Sequence, residues 1–330
     1  TGRLADNNKD MSAVLGVIDD PTKQRQFPYV LDLNSFRNIL VCGPAGSGKS
    51  TVIRSLLYNV VNKYSPEEIN YYILDFSNGA LREMSAAAHC GAYLTDKSEN
   101  DFNRLLALLE NTVAERKKAF EKAGVTNYQS YLEVEQIPRI FLVIDSYTNI
   151  NTFKKGPEIH SNLFARLREW PAYGIHIILS VNHINEVHSK SKLEIDYRIA
   201  LQAKDRYEFT EILGTKCTSI IPAAPGRGMC VNDGIPLEFQ TAAPYVTADE
   251  MNRVRCIRQD LEEINEKFTV GKYPARLLMP SEDEEYRDFC KQFTKERIPL
   301  GYSLTEMKKV AVPFNQLSSM SLYFGNAFGK

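Results

Sequence analysis

Three features of the sequence predict an α/β fold, with a mostly parallel central sheet and helices on both faces. The segment Gly43-Pro44-Ala45-Gly46-Ser47-Gly48-Lys49-Ser50 fits the P-loop pattern G-x-x-x-x-G-K-[ST] without a mismatch. A short apolar run, Asn38 to Cys42, precedes it and reads as a buried strand. Thr51 to Tyr64 follows, with Val52, Ile53, Leu56, Leu57, Val60 and Val61 at helical spacing. Downstream, β-rich apolar runs alternate with helical ones, the pattern of parallel strands joined by crossovers.

The loop chemistry follows from this context. Glycines let the backbone turn its N–H groups inward, and the helix N-terminus adds partial positive charge. ATP and Mg²⁺ are therefore the expected ligands. Residues 43 to 50 together with Thr51 form the nucleotide cradle. Lys49 is expected to reach the β- and γ-phosphates, and the Ser50 hydroxyl to ligate Mg²⁺.

Further elements come in order. Asn70 to Phe76 reads as a strand ending in the turn Ser77-Asn78-Gly79. A helix is expected from Asn100 to Ala123, capped by Gly124. Arg139 to Asp145 is a strand, and Ile159 to Trp170 a helix broken by Pro171. Ile175 to Val181 is the next strand, and 197–203, 228–231 and 237–240 are short ones. A polar helix spans 248–268, and an acidic one 282–293.

The end of the chain echoes its beginning. Leu15-Gly16, Tyr29 to Leu33 and the P-loop strand reappear in order as Leu300-Gly301, Val310 to Phe314 and Met320 to Phe324. The second glycine loop, Gly325 to Lys330, is one residue shorter than the standard pattern. Residues 1–270 are thus expected to form one ATPase module, 271–297 a linker or bridging helix, and 298–330 the start of a second, truncated module.

Asp145 ends the apolar run Phe141 to Ile144, where an acid usually holds Mg²⁺ through water. The next residue is Ser146, and a neutral hydroxyl is a poor proton acceptor. A positioned base contributes about 10²–10⁴ in rate, so tight binding with weak or no hydrolysis is expected. Asn182, after the 175–181 strand, is a candidate γ-phosphate sensor. Asp75 reads as a turn cap with Ser77 and Asn78.

Bulk properties exclude several classes. With a formal net charge of −1 and no basic cluster, nothing points to nucleic acid. No apolar run approaches the ~18 residues of a membrane span. The six cysteines are scattered without a C-x-x-C pair, which suggests a reducing compartment. His183 and His188 read as loop residues, so no metal beyond Mg²⁺ is expected.

With the P-loop, Asp145, Gly174-Ile175-His176 and Pro225-Gly226-Arg227-Gly228 in hand, the chain resembles the FtsK/SpoIIIE ATPase family. Within it, Leu15 to Pro21, Leu74-Asp75-Phe76 and Phe239-Gln240 resemble a module other than the first of the type VII secretion coupling ATPases. The resemblance implies a RecA-like fold and several modules on one membrane-anchored polypeptide, working at the cytoplasmic side. It also implies homo-oligomeric assembly and export of small helical proteins. DNA-translocating relatives carry an arginine finger three residues before Gly-Ile-His; Pro171 stands there here. Arg166 and Arg168, nearby, read as a solvated helix face. The leading expectation is an ATP-binding module that hydrolyses little alone. A competent hexameric motor completed in trans is the alternative, and a DNA translocase a remoter one.

Overall fold

The computed structural model describes residues 11–245, 249–268, 274–277, 291, 296–303, 308–313, 315 and 319. The strands are β1 Ser12–Asp20, β2 Arg25–Asp32, β3 Ile39–Cys42, β4 Ile69–Asp75, β5 Cys90–Thr95 and β6 Arg139–Asp145. They continue with β7 Ile175–Val181, β8 Tyr197–Leu201, β9 Arg227–Asn232, β10 Ile235–Thr241, β11 Arg297–Ser303 and β12 Lys308–Pro313. The helices are α1 Lys49–Lys63, α2 Glu99–Ala123, α3 Tyr128–Tyr131, α4 Gly156–Glu169, α5 Ser189–Lys192, α6 Arg206–Leu213 and α7 Glu250–Glu266.

The first ten strands form one sheet in the order β2-β1-β10-β9-β8-β3-β7-β6-β4-β5. From β8 to β5 every pairing is parallel, and from β2 to β8 every pairing is antiparallel. The P-loop strand β3 lies between β8 and β7, inside the parallel half. Period-two alternation sends side chains to two separate cores. On β6, Ile140, Leu142 and Ile144 enter the core covered by α2, α4 and α6, while Phe141 and Val143 enter the core under α1 and α7. Helices therefore cover both faces, as the alternation of elements predicts.

Helix boundaries follow local chemistry. α2 stops at Gly124, whose left-handed φ of 71° lets its N–H reach the Phe120 and Glu121 carbonyls. α4 gives way to a 3₁₀ turn, Trp170–Tyr173, with Pro171 where a missing N–H does no harm. β5 and α6 were not legible as periodic runs. Gly91 in β5 lies against the Tyr72 ring, where a Cβ would approach to 2.2 Å, so pairing with β4 rather than propensity makes this edge strand. α6 is short but well signalled: Asp205 accepts from Tyr207 and Glu208 N–H groups, and Gly214 caps the end.

β11 and β12 form a separate antiparallel hairpin. Its register slips between Pro299 and Gly301; the β1–β2 hairpin slips between Val14 and Gly16. The acidic segment 282–293 and the glycine loop 325–330 lie outside the described residues, Lys291 apart. Among the described residues no helix is long and apolar enough to cross a membrane. Cys42, Cys90 and Cys230 are buried free thiols pushed up to about 12 by burial.

Two buried histidines make stability depend on pH. His89 contacts the Tyr64 carbonyl through Nε2 at 2.8 Å, and burial pushes it down to about 4. His176 contacts the Arg37 carbonyl through Nδ1 at 2.7 Å, and burial, then the Arg139 charge, push it down to about 3. Both are neutral when folded, whereas the unfolded chain protonates them near pH 6.5. Stability is thus full above about pH 6.5 and falls as pH drops toward 4, by on the order of a few kcal/mol. Urea midpoints at pH 7 and 4.5 should show that fall. The double variant His89→Gln/His176→Asn, which keeps one donor at each site, should lose much of it.

Candidate functional site

The loop between β3 and α1 sits at the carboxyl ends of the parallel strands, where α/β sheets bind ligands. Gly48 has a φ of 104°, and a Cβ there would lie 2.6 Å from the Gly226 nitrogen. That close approach is a contact in itself: the Gly226 N–H donates to the Ser47 carbonyl at 2.8 Å. Pro225-Gly226-Arg227-Gly228 thereby braces the P-loop from the side. No side chain caps α1, so its leading N–H groups stay available to an anion.

Lys49 folds back over the loop. Its Nζ donates to the Gly43 carbonyl at 2.7 Å, the Pro44 carbonyl at 3.0 Å and Asn182 Oδ1 at 2.9 Å. Burial pulls the ammonium below its ordinary range, while the Asp145 carboxylate acts the other way. Asn182 reaches it because β7 lies beside β3. Ser50 Oγ donates to Asp145 Oδ2 at 2.6 Å, and Ser180 Oγ donates to Oδ1. Asp145 is fully buried at the end of β6, one strand beyond β7. The structure therefore places Lys49, Ser50, Asp145 and Asn182 side by side at the sheet mouth.

Ser146 has a left-handed φ of 60°, which a non-glycine residue adopts rarely. Its N–H donates to Ser180 Oγ at 2.7 Å, and its hydroxyl meets Ser77 Oγ at 2.8 Å. Asp75 is locked as a turn cap: its carboxylate accepts from the Ser77 N–H at 2.7 Å, the Leu81 N–H at 2.9 Å and the Tyr93 hydroxyl at 2.9 Å. The expected Ser77 contact is present; that with Asn78 is replaced by Leu81 and Tyr93.

These groups open into a cavity of about 570 Å³, within the range that holds small-molecule ligands. Its wall includes Thr51, Arg54, Asn78, Pro225, Glu250 and Arg253. Of these the sequence predicts only Thr51 as a site residue; packing of α1, of the 77–80 turn, of the 225–226 turn and of α7 brings in the others. Glu250, the one carboxylate on that wall among the described residues, is paired with Arg253 at 3.3 Å.

Arg166 departs from the solvated face expected for it. Its side chain is 13% exposed, pairs with Glu110 at 2.6 Å and stacks over Trp170. Apolar contact along its stem outweighs full hydration. Arg168 is exposed, as expected. His183 and His188 occupy the loop after β7, and His188 Nδ1 accepts from the Lys190 N–H at 3.3 Å.

A glycine cradle at the sheet mouth, a lysine and hydroxyl opening the next helix, and a buried acid two strands away define a P-loop NTPase. The chain belongs to the FtsK/SpoIIIE family, whose family model matches residues 3–244. Type VII secretion system protein EssC of Staphylococcus aureus (strain MRSA252) is 26% identical over 326 residues, 95% of this chain and 22% of that protein. ESX secretion system protein EccC of Thermomonospora curvata is 26% identical over 317 residues, 92% of this chain and 24% of that protein. The chain thus spans less than a quarter of these relatives. Among solved structures, EssC (ATPases 2 and 3) from Geobacillus thermodenitrificans matches with a TM-score of 0.81 at 22% identity, over 92% of this chain and 58% of that one. Thermomonospora curvata EccC (ATPases 2 and 3), in complex with a signal sequence peptide, matches with a TM-score of 0.74 at 23% identity, over 94% and 57%. These likenesses establish the fold.

Proposed function

We propose that the chain is an ATP-binding module of a type VII secretion coupling ATPase, one that holds ATP·Mg²⁺ and hydrolyses it slowly. The observation carrying this reading is the joined pair of contacts Lys49–Asn182 and Ser50–Asp145 beside a residue, Ser146, that has no basic carboxylate. The donor set fits the ligand: uncapped amides and Lys49 suit phosphate oxygens, and Ser50 with Asp145 suits a hard divalent cation. Bound ATP supplies the γ-phosphoryl group, with Mg²⁺ offsetting its charge. Residues 43–51 would hold the phosphates, Lys49 would exchange its loop carbonyls for phosphate oxygens, and Asn182, now bonded to Lys49, would face the terminal phosphate. Asp75 holds its own turn through three donors, which disfavours it as a substitute base.

Residues 298–330 are read as the opening of a second module, supported by the hairpin slip that recurs at Gly16 and Gly301. Its partners are then other modules of the same polypeptide, further copies in an oligomer, and small secreted helical proteins. The membrane anchor lies elsewhere in that polypeptide, leaving this module on the cytoplasmic side.

Ser146→Glu tests the missing base. A correctly placed carboxylate should raise hydrolysis by about 10²-fold; the left-handed backbone is already borne by Ser146 and adds little to the substitution. An ATPase assay of matched wild type and variant reads this directly. An unchanged rate would remove the base as the limiting factor and leave the finger position, Pro171.

A further inference from the structure

The amino ends of the parallel strands hold a separate cavity, of about 300 Å³. Arg139 opens β6, and His176 is the second residue of β7. Phe36 and Arg37 precede β3, and Tyr128 and Arg168 complete the wall. Arg139 and Asp145 are the two ends of β6, so this cavity lies about 20 Å from the Mg²⁺-site acid at ~3.3 Å per residue. It is not part of the P-loop pocket.

Its charge is not balanced. Arg139 is 2% exposed, yet no carboxylate lies within ion-pair distance among the described residues. Its guanidinium donates to the Leu33 carbonyl and to Asn34 Oδ1 at 2.7 Å, and lies over the Tyr128 ring. Its buried Nε has no partner. His176 Nδ1 points at the Arg37 carbonyl, leaving Nε2 toward Arg139 at 3.4 Å as a neutral acceptor. Asp32 acts on Arg139 only through space, and its Oδ1 accepts from the Asn34 N–H. Arg37 pairs with Glu194 at 2.9 Å. Arg168 has no partner among the described residues. Arg139 is thus held by neutral acceptors, with Asp32 compensating it only through space, and Arg168 adds an exposed guanidinium to the same small cavity. A buried charge without a counter-ion is costly, and planar guanidinium groups match phosphate oxygens well.

We infer that this cavity is a second oxyanion site, built to take a phosphate group at the end of the sheet remote from the P-loop. Two guanidinium groups on one wall suit the several oxygens of a phosphate better than a single carboxylate. The phosphate is either free or the end of a nucleotide, and the two share the same recognition.

Trp170 is the only tryptophan and begins the 3₁₀ turn whose Pro171 and Ala172 form one wall. Its fluorescence therefore reports on the cavity. The test uses the Lys49→Ala chain, so that the P-loop does not contribute, and adds inorganic phosphate against chloride at equal ionic strength. A saturable change in Trp170 emission is expected, weakened tenfold or more by a further Arg168→Ala change at the exposed surface. Arg37→Gln, tested in parallel, should also weaken it. A response to phosphate alone assigns free oxyanion; a response to ATP but not to phosphate assigns a nucleotide phosphate. No saturable response to either, or one indifferent to both arginine changes, overturns the inference.

Discussion

Lys49→Ala is expected to weaken ATP·Mg²⁺ binding by about 100-fold or more. The lysine is the only cation that the P-loop itself contributes, and its ammonium sits within bonding distance of the Gly43 and Pro44 carbonyls. Transfer of that ammonium to phosphate oxygens makes charge-assisted hydrogen bonds of about 1.5–3 kcal/mol each, and tenfold in affinity is about 1.4 kcal/mol. Without nucleotide the variant should fold, because Asn182 lines the cavity and Pro44 is exposed, so water can serve two of the three acceptors it abandons and only the buried Gly43 carbonyl loses its partner. The difference therefore appears on adding ligand. At 100 times its dissociation constant, ATP stabilises the wild-type chain by about 2.7 kcal/mol, a rise of roughly 5 °C or more in melting temperature. The variant should show almost none at that concentration. An affinity within threefold of wild type would remove the P-loop from the binding site.

Glu83→Ala should lower the unfolding free energy by about 3–5 kcal/mol. Glu83 pairs with Arg54 under the 76–86 segment, with side chains 3% and 6% exposed. Removing the acid leaves a nearly buried guanidinium without its counter-ion. Arg54 also donates to the Ala80 carbonyl and lines the nucleotide cavity, so the pair fixes one wall of the site to α1. Replacing both residues by apolar ones of similar volume, Arg54→Met with Glu83→Leu, should recover most of the loss. Urea unfolding with an unchanged m-value checks this. A loss under 1 kcal/mol from Glu83→Ala alone would mean that water reaches Arg54 after all.

The parallel half of the sheet and the P-loop constellation were legible in the sequence because their signals are local. β3, β4, β6 and β7 are continuous apolar runs, and Asp145, Ser146 and Asn182, which end β6 or follow β6 and β7, gather at the P-loop, whereas Asp75 at the end of β4 caps its own turn. Asn182 needed one additional condition, that β7 lie beside β3, and the pairing meets it. What stayed hidden depends on contacts distant in sequence. Arg253 lies about 200 residues from the loop it faces, and no periodicity reports that. The cluster of Arg37, Arg139 and Arg168 gathers from three separate elements, so no stretch of sequence looks basic. The role of Gly226 was also invisible: its spacing in Pro225-Gly226-Arg227-Gly228 marks a turn, but not that the turn braces Gly48.

The central claim is that a triphosphate is held by the P-loop while the means to cleave it are incomplete. Incubating the chain with stoichiometric ATP·Mg²⁺, quenching at intervals and separating bound from free nucleotide tests it most directly. One ATP per chain, still uncleaved after many minutes, is the expected result. Absence of bound nucleotide, or conversion to ADP at motor-like rates of about 1 s⁻¹ or faster, would contradict it.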